Sequence, residues 1–321
     1  MAAVTTRRQE RPYNPMTWSK HTRRNFGVGM LFISPWLIGF VAFTLYPMLA
    51  SLVYSFSEFT FHKPLKFVGL ENYIELFQDK YFWIALANTG YIVAIGVPLI
   101  LIFSFLCAVI LNIKVPGQSI YRVIYYIPSI VPTIASTLLW IWVLNPQYGL
   151  LNTFLGYVGI DGPNWIKDPA WSKPALLLLA LWGTGNTMII YLSGLQDVPV
   201  HLLEAAQLDG ANWWQRMRHV TIPMVSPITL YNLITGAIAM FQYFAQAYVF
   251  ARIAGQNYAG QSTVGQPLNS TLFYSVYLYQ NGFQFLKMGY ASAMAWILFL
   301  VILVCTILML RVSERFTYYS E

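Results

Sequence analysis

Charge is scarce in this chain. Only 10% of its 321 residues are Asp, Glu, Lys or Arg, against about a quarter in soluble domains, which excludes an ordinary water-facing globule. Cysteine is nearly missing as well. Cys107 and Cys305 are the two present, and both fall inside apolar runs, so neither a disulfide framework nor a zinc site is indicated. The four histidines, His21, His62, His201 and His219, stand in separate segments with no partner at metal spacing. No nucleophile adjoins a base, no apolar run holds paired carboxylates, and no Gly-rich phosphate loop is found. Catalytic and metal residues are therefore not expected, nor is a cofactor on this chain.

What the sequence has instead is long apolar runs, within a composition that is 57% hydrophobic. A helix needs about 20 such residues to cross roughly 30 Å of hydrocarbon. Six runs qualify: Gly29 to Ser55, Leu86 to Leu111, Ile120 to Leu144, Ala175 to Leu195, Pro223 to Ala251 and Tyr290 to Leu310. The expected fold is an all-α membrane protein of six transmembrane helices. Pro35, Pro47, Pro98, Pro128, Pro132 and Pro227 fall in or near these runs, so kinks are expected, above all in the third. The first run is too long for a cleavable signal peptide and lacks a clear cleavage site, so it reads as an uncleaved span.

Orientation follows from Lys and Arg. Arg7, Arg8, Arg11, Lys20, Arg23 and Arg24 precede the first run, Lys114 and Arg122 adjoin the second turn, Arg216 and Arg218 lie before the fifth run, and Arg311 and Arg315 follow the last. Six spans put all of these on one side, which is the cytoplasm, together with both termini. The formal charge of +7 is thus a topology signal and not a nucleic-acid footprint. The expected organisation is a basic tail over 1–28, a transmembrane domain over 29–311 with a cytoplasmic loop at 196–222, and a second tail over 312–321. Leu268 to Phe285, with Tyr274, Tyr277 and Tyr279, reads as an interfacial segment at headgroup depth.

The loop at 196–222 is a polar island between membrane-length runs. Pro199 can start a helix, Asp209-Gly210 is a helix stop and turn, and two short helices with a tight corner are expected. Ala205 and Ala206 would let another surface approach closely, and Glu204 offers a carboxylate. The same residues suit an amphipathic segment resting on lipid headgroups through Trp213, Trp214, Arg216 and Arg218. The wording Glu204-Ala205-Ala206, Asp209-Gly210 and Ile222-Pro223 resembles the Glu-Ala-Ala loop of ATP-binding cassette importer permeases. Further similarity runs through Tyr46-Pro47, Asn88-Thr89, Gly149 to Asn152, Trp182, Gly194-Leu195 and Gly289 to Ala293. It is strongest to the first permease subunit of the carbohydrate-uptake branch, of the maltose-like and glycerol-3-phosphate-like kind. That resemblance implies the type I importer permease fold in a bacterial or archaeal plasma membrane. It also implies a second permease as heterodimer partner, two ATPase subunits that use ATP and Mg, and an extracytoplasmic substrate-binding protein. Glu204, Ala205, Ala206, Asp209 and Gly210 would then be ATPase-coupling contacts. The chain departs from the family in having Ala254 to Gln266 where a Gly-Gly-Pro stretch is common.

At about 100° per residue, Asn232, Thr235, Gly236, Ala239, Gln242, Tyr243 and Gln246 fall on one side of the fifth run, and Trp182, Asn186 and Ser193 share a face of the fourth. Two readings stand. Trp182, Asn186, Gln242, Tyr243 and Gln246 line a path for a sugar or polyol, or the amides bridge packed helices. An ion-coupled secondary transporter or a channel subunit is the rival function. It would need an intramembrane acid or ion site, which the runs do not offer.

Overall fold

The computed structural model describes residues 20–60, 63–255, 265–314 and 317. Most of the basic tail, most of the Ala254 to Gln266 stretch and most of the C-terminal tail lie outside them. The chain divides into two compact units, 1–53 and 54–321.

The first unit is helical: α1 (Lys20–Phe40), a π turn over Val41–Leu45, and α2 (Tyr46–Ser55), which ends in the second unit. None of its described residues is buried. The wide turn ends two residues before Pro47, whose ring would collide with the carbonyl four residues back. The helix avoids that by bonding Tyr46 N–H to Val41 O. The same device recurs ahead of Pro223, where a π turn over Met217–Thr221 bonds Ile222 N–H to Met217 O.

The second unit opens with an antiparallel hairpin, β1 (Ser57–Thr60) and β2 (Lys63–Phe67), pairing Ser57 with Phe67 and Glu58 with Lys66. This hairpin corrects the all-α expectation; the fold is mostly helical. There follow α3 (Glu71–Gln78), α4 (Lys80–Leu111), α5 (Gln118–Ile130), α6 (Thr133–Val143), α7 (Leu150–Tyr157), α8 (Pro169–Trp182) and α9 (Gly185–Gln196). Then come α10 (Val200–Leu208), α11 (Trp213–Arg216), α12 (Ile222–Phe241), α13 (Ala245–Ala254), α14 (Tyr274–Tyr279) and α15 (Met288–Ser313).

Six spans were expected, with kinks above all in the third; among the described residues four stretches meet the length and apolarity of a span by themselves, 20–55, 80–111, 213–254 and 288–313, and the count reaches six if each of two bent helix pairs is one span. The third and fourth runs are these bent pairs, α5 with α6 at 100° and α8 with α9 at 49°. Val131-Pro132 explains the sharper bend, since proline removes a backbone donor and disfavours helix in the residue before it. Gly183-Thr184 explains the other.

α4 is the central element, packed along α9 and α12. Two hydrophobic clusters form around it. One, at the hairpin end, joins the first half of α4 to α8, α13, α14 and the start of α15, with Phe82, Phe250, Phe273, Tyr274 and Met294 fully buried. The other, at the α10–α11 end, joins Cys107, Ala108 and Leu111 to Met188, Tyr191, Leu192 and Val225. Tyr274 and Tyr277 lie in the core, and their hydroxyls have protein partners. Tyr274 donates to Met294 O at 2.8 Å. The Asp79 carboxylate accepts from Tyr277, from Tyr290 at 2.8 Å and from Tyr81 N–H at 2.8 Å. Burial, and then the bond to Asp79, holds the Tyr277 hydroxyl above its ordinary range, so it stays a donor.

Candidate functional site

Three interrupted helices meet at one cavity of about 550 Å³, a volume within the range that holds small-molecule ligands. Its wall takes Pro128, Ser129, Val131 and Thr133 from the α5–α6 bend, and Trp182, Gly183, Thr184 and Thr187 from the α8–α9 bend. Gln242, Tyr243, Phe244 and Gln246 come from a third break, between α12 and α13. Backbone that leaves its helix at membrane depth is tolerated where it is buried in protein or faces a cavity. Some freed carbonyls are met by hydroxyls: Tyr126 O by Ser129 Oγ at 2.7 Å, Leu181 O by Thr184 Oγ1 at 2.8 Å, and Phe241 O by Ser275 Oγ at 3.4 Å. Gly185 lets α9 approach α5 closely, since a Cβ there would stand 2.9 Å from Tyr125 O.

The wall is apolar over most of its surface, through residues such as Val97, Ile100, Leu179 and Met240, with a few uncharged polar groups set into it. No Asp, Glu, Lys, Arg or His lines it among the described residues. Asn232, Thr235, Gly236 and Ala239 line it from α12, and Gln242, Tyr243 and Gln246 continue it, although the helix stops at Phe241 and one continuous helical face does not. The break changes what these groups do. Gln242 is exposed, and neither its side chain nor that of Gln246 bonds another described residue, whereas the Tyr243 hydroxyl is buried and unpartnered among them. Trp182 lines the cavity with its ring edge-to-face on Trp140, centroids 6.2 Å apart. Asn186 does not join them: it is exposed and outside the lining, because the bend after Trp182 turns its face away.

At the other end α10 stops at a glycine-dependent corner. Gly210 lies at φ +81°, Ala211 N–H bonds Ala206 O at 2.9 Å and Gly210 N–H bonds Gln207 O at 3.0 Å, the paired bonds of a Schellman stop. α11 then starts with a capping box, Asn212 and Gln215 each bonding the other's backbone N–H. Arg216 Nη1 reaches back to Gln207 Oε1 at 2.9 Å and fixes the corner angle. The second arm is no separate helix, contrary to expectation; it runs through the π turn into α12. Leu203 and Val220 pack on the cluster around Tyr191, so the corner is tied to α4 and α9. Its outward surface is bare: Glu204, Ala205, Asp209 and Gly210 are exposed, and Leu208 is 89%, Trp214 62% and Trp213 56% accessible.

Residues 83–318 match the family described as binding-protein-dependent transport system inner membrane component. The chain belongs to this family. It is a multi-pass membrane permease of the ATP-binding cassette carbohydrate-uptake group. Its relatives include the probable ABC transporter permease YesP of Bacillus subtilis, 38% identical with 95% of this chain and 96% of that protein covered. The lactose transport system permease LacF of Rhizobium radiobacter is 32% identical over 87% and 92%, and the trehalose/maltose transport system permease MalF of Thermococcus litoralis 31% over 92% and 97%. A crystal structure of a bacterial ABC transporter involved in import of the acidic polysaccharide alginate shares the fold, with a TM-score of 0.75 at 23% identity over 93% of the permease and 99% of that chain. Such a permease is a transport component and not a catalyst.

Proposed function

We propose that the chain is the first-type permease subunit of an ATP-driven importer for an uncharged sugar or oligosaccharide, and that the cavity at the three helix breaks is its solute path. One observation carries this reading: Gln242 and Gln246, amides without a partner among the described residues, face an uncharged cavity built from broken helices. Amides and hydroxyls match the donors and acceptors of sugar hydroxyls, and Trp182 offers a face for the apolar side of a ring. Unpartnered amides speak against simple bridging between helices, since bridging consumes the hydrogen bonds. Relatives named for lactose and trehalose/maltose transport support the substrate class.

In this reading α5–α6 and α8–α9 are each one bent span, giving six spans over 29–311 with 1–28, 196–222 and 312–321 in the cytoplasm. Glu204, Ala205, Ala206, Asp209 and Gly210 dock into one of two ATPase subunits, which bind the ATP and Mg. A second, different permease completes the path, and an extracytoplasmic binding protein delivers the solute. The bare Leu208, Trp213 and Trp214 support a protein partner at the corner.

The test is uptake of a panel of labelled neutral sugars into proteoliposomes holding the whole transporter and its binding protein. Gln242→Ala with Gln246→Leu lowers uptake several-fold while the ATPase subunits still co-purify. Unchanged uptake would leave the amides a packing role.

A further inference from the structure

The segment from Gly265 to Phe273 is irregular and ties part of its backbone to itself, Ser270 N–H to Pro267 O at 2.9 Å and Leu272 N–H to Asn269 O at 3.1 Å. α14 starts after Phe273, which supplies no side-chain cap, and Leu268 and Asn269 lie at φ 46° and 61°, where residues with a Cβ are uncommon. α4 supplies the missing partners. Asn88 Nδ2 donates to Asn269 O at 2.8 Å and to Leu272 O at 3.0 Å, and Thr89 Oγ1 accepts from Tyr274 N–H at 2.8 Å. Both side chains are buried, so none of the three bonds has water as a ready substitute.

The effect of these bonds reaches the cavity. Phe273, held between them, meets Tyr243 edge-on with centroids 5.9 Å apart, and Tyr279 meets Phe244 at 5.1 Å. Ser275 takes the carbonyl of Phe241, at the end of α12. The break after α12 contains neither Pro nor Gly, so its shape comes from this packing.

We propose that Asn88 and Thr89 are positioning residues of the solute cavity: through 269–279 they hold the Gln242–Phe244 break and thereby aim Gln242 and Gln246. The proposal rests on the solute-path reading above, yet its geometry is testable without a solute. The full chain is placed in lipid nanodiscs with Cys107→Ser, Cys305→Ser and either Gln242→Cys or Gln246→Cys, and the rate of modification by a small methanethiosulfonate is measured. Thr89→Val keeps the shape and removes the acceptor. It changes the rate at both positions by roughly fivefold or more, the scale on which one lost buried hydrogen bond shifts a local equilibrium, and Thr89→Ser returns it to the starting value.

Unchanged rates, with backbone hydrogen exchange raised only over 270–277, would overturn the proposal. Where Thr89→Val yields no folded protein, Asn88→Ala carries the same test. Loss of folded protein in both, with Thr89→Ser normal, would assign the pair to folding alone and also overturn it. A rate change in a transporter that shows no ATP-driven uptake would instead leave the positioning standing and remove the solute path.

Discussion

The two ends of the second unit are finished differently. At the hairpin end, polar side chains close the structure over long sequence separations: Asn88 to Leu272, Thr89 to Tyr274, Ser172 to Ser270 at 2.7 Å, and Asp79 to Tyr277 and Tyr290. At the α10–α11 end the packing is mainly apolar around Tyr191 and Met188, and the corner leaves a leucine and two tryptophans in the open. One end completes itself, and the other leaves apolar surface that, in the proposed reading, an ATPase subunit covers. Between them the chain breaks three helices around a cavity.

The largest effect is expected at the corner. Gly210→Val places a β-branched residue at φ +81°, where such side chains are strained by about 1–3 kcal/mol. ATP-driven uptake in proteoliposomes then falls to background while the permease still folds, as judged by its melting temperature. Next in size, Leu208→Asp lowers co-purification of the ATPase subunits several-fold with no change in the melting of the isolated permease, because Leu208 contributes almost nothing buried. Equal loss of melting temperature would mean that the corner is part of the core and would break the contrast between the ends.

A pair of glycines sharpens it further. Gly289→Ala drives a Cβ into the backbone carbonyl of Ser57, whereas Gly194→Ala meets the tip of the flexible Ile228 side chain. Overpacking costs about 1–3 kcal/mol where nothing can give, so Gly289→Ala lowers the melting temperature clearly and Gly194→Ala lowers it less. The smallest effect belongs to Lys287→Gln. Its 3.1 Å pair with Glu75 is about half exposed on both sides, and loss of such a pair changes stability by about 0–1 kcal/mol, a shift of a degree or two at most in the same melting assay.

Much of this was legible in the sequence. The apolar runs placed the long helices, and Asp209-Gly210 announced a helix stop because a left-handed residue there favours glycine. Pro132 and Gly183-Thr184-Gly185 marked two of the three breaks. The third break, at Gln242–Phe244, carries no such residue. Its causes, Phe273, Ser275 and Tyr279, are distant in sequence, and a helical wheel drawn through it still grouped Gln242, Tyr243 and Gln246, although two stand in the break and Gln246 lies in the first turn of α13. The same local logic failed for Asn186, which a wheel continued through the bend at Gly183 set beside Trp182. The burial of Tyr274 and Tyr277 was not legible, because their partners, Met294 and Asp79, lie far along the chain.

The most direct measurement is uptake of a labelled neutral disaccharide panel by the reconstituted transporter, with ATP supplied inside or withheld and with an ionophore present or absent, for the unsubstituted chain and for Gly210→Val. Energy entering through the corner predicts uptake that requires ATP, ignores the ionophore and vanishes with Gly210→Val. Uptake that persists without ATP, or that Gly210→Val leaves intact, would contradict it.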